Sequence, residues 1–221
     1  SGSGKSTLAK LLVHYYGMTG GAIRLGGQDL RDMSLQALND QISYVSQEQF
    51  LFNTSLLENI RAGRLTATDE EVMEAAGKAQ CMEFLDRLPE GIHTMAGDGG
   101  KQLSGGERQR ICLARAILKD APVIVLDEAT AFMDPENEEK MNAAIAEVLR
   151  GDRPKTVIVI AHRLHSIVNA DQICVLDKGR LADAGTHEEL LQRCPRYQKL
   201  WQAAQGSARW GINTSKGGEN R

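Results

Sequence analysis

The sequence predicts an α/β fold in which helices cover both faces of a parallel sheet. The main evidence for this fold class is a series of short apolar runs: "ISYV" (42–45), "VIVL" (123–126), "TVIVIA" (156–161) and "QICVL" (172–176). Stretches with helical character separate these runs. Strands that are apolar on both faces and alternate with helices are typical of parallel sheets. We therefore expect the four runs to be the strands of the core sheet.

The composition is that of a globular protein and argues against a nucleic-acid-binding one. The 221 residues include 42% hydrophobic side chains, enough for a sizeable core, and carry a net charge of -3 with acids and bases interspersed. This balance argues against nucleic acid as a main partner, because nucleic-acid-binding proteins concentrate basic residues. The cysteines form no CxxC pair and no metal-ligand spacing, which suits a reducing, cytosolic setting. They are Cys81, Cys112, Cys174 and Cys194.

The beginning of the chain lacks features that a complete domain would have. The chain starts without methionine, directly in a glycine-rich segment that in phosphate-binding proteins follows a buried strand. No apolar run is long enough to cross a bilayer, and no signal peptide is present. We expect a fragment of a longer chain, with one domain over residues 1–204. Residues 205–221, rich in Gly, Ser and Asn, are expected to form a disordered tail.

The span between the first two apolar runs is predicted to be a helical insert. It contains no clear strand, and Thr68 and Glu71 have capping-box spacing at the start of "TDEEVMEAAGKAQ". We expect a helical subdomain at about residues 53–118.

The opening "SGSGKST" has the composition of a phosphate-binding loop. Glycines let the chain curl so that backbone N–H groups converge on an anion, and a lysine adds a mobile cation. Gly2 and Gly4 would shape this cradle, and Lys5 would reach the β- and γ-phosphates. The Ser6 hydroxyl would ligate Mg²⁺ at the start of a helix. The alternative is a flexible Gly/Ser terminus with a lysine placed by chance.

Two carboxylates, Asp127 and Glu128, follow the run "VIVL". In open α/β sheets ligands bind outside the carboxyl ends of the strands, so both lie where a nucleotide would bind. Asp127 has the chemistry to hold the water shell of a metal ion. Glu128 has the chemistry to orient, or to accept a proton from, a water that attacks a γ-phosphate. The alternative is an acidic strand end followed by a turn.

Two further polar residues follow predicted strands in the same sense. Gln47 comes after "ISYVS" and could contact a metal ion or the attacking water, and His162 follows "TVIVIA" and could contact a γ-phosphate. Taken singly, a structural histidine and a loop glutamine are the better interpretations. Their convergence with Asp127 and Glu128 on one sheet edge favours a shared site.

The stretch "LSGGERQRICLARAIL" supports two compatible interpretations. Ser104 and Glu107 fit a capping box, and an apolar stripe follows at Ile111, Ala114, Ile117 and Leu118. A helix that begins behind a Gly-Gly pair is also an anion site. Because "SGSGKST" already holds one side of a nucleotide, this second site would serve a nucleotide held by another subunit.

Helix capping also explains two shorter stretches. In "MDPENEE", Asp134 is expected as an N-cap with Pro135 at the first helical position. "GTHEELL" contains a capping box that starts at Thr186, and His187 is expected at the surface.

Together these motifs resemble the nucleotide-binding domain of ATP-binding cassette (ABC) transporters, over residues 1 to about 204. "SGSGKST" resembles the Walker A loop, Gln47 in "YVSQEQFLF" the Q-loop and "LSGGERQR" the ABC signature. "VIVLDE" resembles Walker B, "ATAFMD" the D-loop and "IAHRL" the H-loop. The resemblance implies a P-loop NTPase (RecA-like) core with a helical subdomain inserted between the Q-loop and Walker B.

The resemblance also implies an ATPase that uses ATP and Mg²⁺ and works as a head-to-tail dimer. Its Walker A would be closed over by the signature of a second nucleotide-binding domain, in a homodimer or a heterodimer. The implied nucleotide-binding residues are Gly2, Ser3, Gly4, Lys5, Ser6, Thr7, Asp127 and, toward the partner's nucleotide, Ser104, Gly105, Gly106 and Asp134. The implied catalytic residues are Glu128, His162 and Gln47, and the implied metal ligands are Ser6 and Gln47.

Weaker features indicate the subfamily. "LFNTSLLENIR" and "GRLADAGTHEELL" resemble exporter-type half-transporters, whose membrane domain lies on the same chain, at the cytoplasmic face of the plasma (inner) membrane. "ATAFMDPENEE" resembles a branch linked to siderophores and iron. The alternatives are a separate ATPase subunit of an importer, a soluble ABC ATPase acting on nucleic acid or ribosomes, and a non-catalytic regulatory module. The family's first strands and the opening of Walker A are absent, so we expect these residues alone to bind ATP poorly.

Overall fold

The computed structural model describes residues 2–128, 135–149, 153–161 and 163–213, with the backbone alone for residue 135 and residues 206–213. The chain divides into two compact units, one of residues 9–160 and one of residues 1–8 and 161–221. Each unit has its own apolar cluster of buried side chains.

The described residues form seven strands and nine helices. The strands are β1 (Arg24–Leu25), β2 (Gln28–Asp29), β3 (Ile42–Val45), β4 (Val123–Asp127), β5 (Thr156–Ile160), β6 (Ile173–Asp177) and β7 (Arg180–Gly185). The helices are α1 (Lys5–Leu12), α2 (Leu35–Gln41), α3 (Leu56–Arg61), α4 (Asp69–Lys78), α5 (Met82–Leu85), α6 (Gly105–Lys119), α7 (Pro135–Leu149), α8 (His187–Arg193) and α9 (Pro195–Asn213). The boundary between the two units falls within α1.

A parallel sheet of three strands forms the centre of the larger unit, in the order β3, β4, β5. β4 lies in the middle, and all of its residues are buried. Val45 lies opposite Leu126, and Leu126 lies opposite Val159, so the three carboxyl ends meet at one edge of the sheet. The predicted α/β class with a parallel core sheet is confirmed.

Successive residues of β4 pack against opposite sides of the sheet, as the two-residue period of a strand requires. Ile124 and Leu126 belong to the large apolar cluster that is formed mainly by helices α3 to α6. Val123 and Val125 belong to a second cluster, which includes Leu38 of α2. Burial on both faces explains why this strand is an uninterrupted apolar run in the sequence.

Helices fill the chain between β3 and β4, as predicted for the insert. Four helices, α3 to α6, occupy this span, and within it only one isolated bridging pair, Ser55 with Met95, has strand geometry. The Thr68 hydroxyl accepts a hydrogen bond from the Glu71 N–H at 3.3 Å, and the Glu71 carboxylate accepts one from the Thr68 N–H at 2.9 Å. This capping box at α4 is confirmed, while the subdomain bounds of about 53–118 stay a prediction.

The fourth predicted strand does form, but the prediction that it joins the parallel sheet is wrong. In the smaller unit β6 pairs with β7 as an antiparallel hairpin, with Asp177 opposite Arg180. The two turn residues, Lys178 and Gly179, have φ values of 47° and 76°. Two consecutive positive φ values produce the tight turn that suits the right-handed twist of a hairpin. The residues "DKGR" are therefore typical of a tight hairpin turn, whereas the apolar run before them indicates only a strand.

An aromatic cluster half-buries His187, which was expected at the surface. Its Nδ1 lies 2.8 Å from the Tyr197 hydroxyl, and its ring lies 4.6 Å from the Trp201 ring. The centroid of the His165 ring lies 4.8 Å from that of the same Trp201 ring. The cluster joins α8 to α9 and to the short 3₁₀ turn that contains His165.

The last helix, α9, runs to Asn213 and so includes residues 205–213 of the expected tail. The expectation of a disordered tail over residues 205–221 stays a prediction. Residues 214–221 lie outside the described residues. At 19 residues α9 is long, yet neither it nor any other helix in the described ranges is apolar enough to cross a membrane.

The helical packing beside β4 leads to a stability prediction. Leu113 of α6 is 1% exposed, whereas Leu65 is 80% exposed. Leu113→Ala should lower the free energy of unfolding by about 2 to 5 kcal/mol, because it leaves a cavity in the large cluster. Leu65→Ala should change it by less than about 0.5 kcal/mol. Urea unfolding followed by circular dichroism measures both, and equal losses would contradict the assignment of Leu113 to the core.

Candidate functional site

The glycine-rich loop in the smaller unit has the backbone of an anion cradle. Gly2 and Gly4 have φ values of 79° and 94°, a region that side-chain-bearing residues rarely adopt. This curl leads directly into α1, whose first turn leaves N–H groups without partners in the helix. Such amides, together with the helix dipole, favour an anion at this end.

Two contacts set the shape of this loop. The Lys5 ammonium donates a hydrogen bond to the Ser3 hydroxyl at 3.3 Å, so the cation stays over its own loop. The Gly179 N–H, in the turn between β6 and β7, donates to the Ser3 carbonyl at 3.2 Å. A Cβ atom on Gly4 would lie 3.7 Å from the Gly179 Cα. Ser6 is half-buried and Thr7 exposed, both in the first turn of α1.

Asp127, at the end of the central strand of the larger unit, has two carboxylate oxygens in different environments. The residue is only 3% exposed. Its Oδ2 accepts a hydrogen bond from the Tyr44 hydroxyl at 2.7 Å. Its Oδ1 is buried and has no hydrogen-bond partner among the described residues. A buried acceptor without a partner costs free energy. A cation, or a water bound to one, would remove this cost by binding Oδ1.

Tyr44 acts as a donor in this pair. Burial, and the adjacent Asp127 carboxylate that it hydrogen-bonds, raise the pKa of the Tyr44 phenol well above its ordinary value. The phenol therefore keeps its proton throughout the physiological pH range. Tyr44 was not predicted from the sequence, because the apolar run "ISYV" shows a hydroxyl-bearing residue but not that this residue pairs with Asp127.

Glu128 leaves the strand in an unusual backbone conformation. Its φ is 52°, in the left-handed region, and its N–H donates to the Ile160 carbonyl of β5 at 3.1 Å. A residue with a Cβ atom pays roughly 1 to 3 kcal/mol for such a conformation, which persists only when the surrounding structure enforces it. Strain of this kind is concentrated at functional sites, and here it occurs in a half-buried carboxylate next to Asp127.

Gln47 lies at the same sheet edge, two residues after β3, and is exposed. The parallel register of Val45 opposite Leu126 puts the end of β3 beside the end of β4. The same loop is joined to α6, because the Gln49 amide donates to the Gln109 side-chain oxygen. The structure thus brings Gln47, Asp127 and Glu128 to one edge, as predicted from the strand ends.

The Gly-Gly segment forms the start of α6, with the predicted capping box. The Ser104 hydroxyl accepts from the Glu107 N–H at 3.3 Å, and the Glu107 carboxylate accepts from the Ser104 N–H at 2.8 Å. Ser104 and Gly105 are exposed. A Cβ atom on Gly106 would approach the Asn137 side chain of α7 to 2.7 Å. Among the described hydrogen bonds, none joins Ser104 to Asp127 or Glu128.

Two predicted site residues, His162 and Asp134, lie outside the described residues. The helix start expected after Asp134 is present, because α7 begins at Pro135. The predicted residues therefore fall into three described groups: the loop of Gly2 to Thr7, the sheet edge with Gln47, Asp127 and Glu128, and the start of α6 at Ser104, Gly105 and Gly106.

Comparison with known proteins gives consistent matches. A family model described as "ABC transporter" matches residues 1–131. The chain is 50% identical over 207 residues to the mycobactin import ATP-binding/permease protein IrtA of Mycobacterium tuberculosis, covering 94% of this chain and 24% of that protein. It is 46% identical over 205 residues to an ATP-dependent lipid A-core flippase of Legionella pneumophila, covering 93% of this chain and 34% of that protein.

A solved structure shows the same fold. The structure of a bacterial Atm1-family ABC exporter with ATP bound matches 92% of this chain and 35% of its own, with a TM-score of 0.86 and 40% sequence identity. The chain thus spans between about a quarter and a third of the proteins that it matches.

The close approach of α6 and α7 leads to a prediction at Gly106. Gly106→Ala would push Asn137 aside, and Asn137 accepts a 2.7 Å hydrogen bond from the buried Arg110 guanidinium. The free energy of unfolding should fall by about 1 to 3 kcal/mol. Gly77→Ala in α4, where a Cβ atom meets nothing within 4 Å, should instead raise it by about 0.5 to 1 kcal/mol. Denaturant unfolding compares the two variants, and a stabilised Gly106→Ala would contradict the contact.

Proposed function

The chain belongs to the ABC transporter family and has its ATPase fold, and from this premise we propose that it binds ATP with Mg²⁺ and hydrolyses it to power transport across a membrane. The observation that carries the proposal is the pair of carboxylates at the end of β4. Asp127 has one buried oxygen without a partner among the described residues, and Glu128 beside it is held in a strained conformation. This is the arrangement that a metal-assisted phosphoryl transfer requires.

The loop of Gly2 to Thr7 would bind the phosphates. The positive φ values at Gly2 and Gly4 would let backbone amides converge on a phosphate, and the Lys5 ammonium contacts Ser3 of the same loop. Ser3 and Thr7 would add hydroxyl donors. Breaking the 3.3 Å bond from Lys5 to Ser3 costs little, since a phosphate oxygen is the stronger acceptor for an ammonium.

The Asp127 carboxylate, in the larger unit, has the chemistry to hold a magnesium ion. Asp127 Oδ1 is a hard oxygen ligand for the ion or its water shell, and the Ser6 hydroxyl and the Gln47 amide oxygen are of the same chemical type. Bound Mg²⁺ would neutralise part of the charge on the phosphates. Among the described residues no cluster of three or more His, Cys, Asp or Glu forms a separate metal site, so this ion would depend on the nucleotide for further oxygens.

Glu128 would act on the attacking water. As a half-buried carboxylate it can accept a hydrogen bond from the water and orient it, or take its proton, as the bond to the γ-phosphate forms. Gln47 would orient the same water and sense the γ-phosphate, and His162 would contact that phosphate. Water exclusion would come from closure by a second domain.

That second domain would be another nucleotide-binding domain in a head-to-tail dimer. Ser104 supports this proposal, because its hydroxyl oxygen accepts a bond within the chain while its own proton remains to be donated to a phosphate. The amides of Gly105 and Gly106 open α6 next to it, and Ser104 and Gly105 are exposed. Asp134 would communicate across the same dimer interface.

The membrane domain would lie on the same full-length polypeptide, as in exporter-type half-transporters, and would hold this domain at the cytoplasmic face of the inner membrane. The names of the relatives, an ATP-binding/permease protein and a flippase, support this arrangement. Exposed apolar surface near Gln47 supports it further. The rings of Phe50 and Phe52 are 58% and 50% exposed and contact each other edge to face at 5.3 Å, beside a groove of about 290 Å³.

For the cargo we propose a siderophore or a related iron carrier. The stretch "ATAFMDPENEE" and the similarity to a protein named for mycobactin import support this class. The similarity to lipid A-core flippases favours a lipid as the second candidate. Stimulation of ATP hydrolysis by iron-loaded siderophore, compared with lipid A, distinguishes the two candidates.

The test of the catalytic assignment is Glu128→Gln in the full-length protein. ATP hydrolysis should fall by about 100-fold or more, because the amide can neither accept the proton nor orient the water as a carboxylate does. ATP binding should persist, so ATP-bound dimers should accumulate. Phosphate release and size-exclusion chromatography with ATP measure the two effects. Glu139→Gln, at an exposed position of α7, is the matched control. If Glu128→Gln hydrolyses ATP at the wild-type rate, Glu128 is not the catalytic carboxylate.

A further inference from the structure

Tyr44 and Asp127 contact each other across neighbouring strands. Tyr44 lies on β3 opposite Val125 of β4, and Asp127 is two residues further along β4. Residues two apart on a strand point to the same face, so the phenol and the carboxylate share one side of the sheet. A diagonal separation of about 7 to 8 Å is within reach of an aromatic side chain. The hydroxyl accordingly lies 2.7 Å from Asp127 Oδ2.

This contact makes the two oxygens of the carboxylate unequal. A carboxylate that is free to rotate presents either oxygen to a ligand. Here Oδ2 is occupied by the phenol, and Oδ1 is left buried with no partner among the described residues. Because Asp127 is only 3% exposed, bulk water cannot take the place of the phenol.

We propose that Tyr44 is a positioning residue for the metal site: its hydroxyl fixes the carboxylate of Asp127 so that Oδ1 faces Mg²⁺ or its water shell. The inference rests on the proposed function, since it assigns Tyr44 a part in the same nucleotide site. In this proposal Tyr44 needs no contact with the nucleotide. It acts through Asp127, as residues that hydrogen-bond a metal-ligating carboxylate do.

The substitution that isolates the hydroxyl is Tyr44→Phe. Phenylalanine keeps the ring that packs beside the second apolar cluster and removes only the donor. Both oxygens of Asp127 would then lack a partner among the described residues, and the carboxylate would lose its fixed orientation. A matched control is Tyr197→Phe, which removes a hydroxyl that contacts His187 in the other unit.

The experiment uses the full-length protein, a non-hydrolysable ATP analogue and Mn²⁺ as a paramagnetic probe for the magnesium site. Electron paramagnetic resonance of free Mn²⁺ measures metal binding in the presence of the analogue. Analogue binding in EDTA measures nucleotide affinity without metal. Tyr44→Phe should need about 10-fold more Mn²⁺ for half-saturation, the usual effect of removing such a partner. Its metal-free nucleotide affinity should equal that of the wild type, and Tyr197→Phe should match the wild type in both measurements.

A second variant tests the route through Asp127. In an Asp127→Asn background, where the carboxylate is already lost, adding Tyr44→Phe should have no further effect on Mn²⁺ binding. An additive effect would overturn the proposal, and so would wild-type Mn²⁺ affinity in Tyr44→Phe. Loss of folding in Tyr44→Phe alone, seen by circular dichroism, would also overturn it, because the hydroxyl would then have a purely structural role.

Failure of the proposed function is a separate result. If the wild-type protein binds neither the analogue nor Mn²⁺, the assignment as an ATPase fails and this inference fails with it. If the wild type binds both and Tyr44→Phe is indistinguishable from it, the ATPase assignment stands and only the role of Tyr44 is rejected.

Discussion

Burial of β4 on both faces is the constraint on which the rest of this structure depends. Alternate residues of the strand pack into two different apolar clusters. A shift of register by one residue would place each side chain in the wrong cluster, where it would not fit. The fixed register brings Asp127 and Glu128 to the end of the strand, at the edge where β3 and β5 also end. The apolar packing of β4 thereby determines where the Asp127 and Glu128 carboxylates lie.

The polar groups at this edge are held in states that cost stability. Asp127 Oδ1 is buried and has no partner among the described residues. Glu128 has a φ in the left-handed region, which a residue with a Cβ atom adopts only when the surrounding structure enforces it. A protein selected for stability alone would keep neither feature, since each lowers the free energy of unfolding. Both are accounted for if a cation and a reacting phosphate complete the site. The Tyr44 hydroxyl satisfies one oxygen of Asp127 and leaves the other available.

The sequence predicted those parts of the fold that depend on local patterns. Strands β3, β4 and β5 were visible as apolar runs, and the helices of the insert were visible through capping boxes such as that of Thr68 and Glu71. The pairing partner of β6 was not predicted, because a run of apolar residues does not show whether its neighbour is parallel or antiparallel. Tyr44 was missed for a similar reason: its partner Asp127 is 83 residues away, and only the register of β3 on β4 brings them together.

The most direct test of this account is a structure of the full-length protein with Mg²⁺ and a non-hydrolysable ATP analogue. The account predicts phosphates on the loop of Gly2 to Thr7, metal density on the Oδ1 side of Asp127, and the signature segment of a second nucleotide-binding domain closing over the γ-phosphate. It also predicts that the bond from the Tyr44 hydroxyl to Oδ2 persists. Metal density away from the end of β4, or phosphate density away from the loop of Gly2 to Thr7, with Asp127 Oδ1 still lacking a partner, would contradict the account.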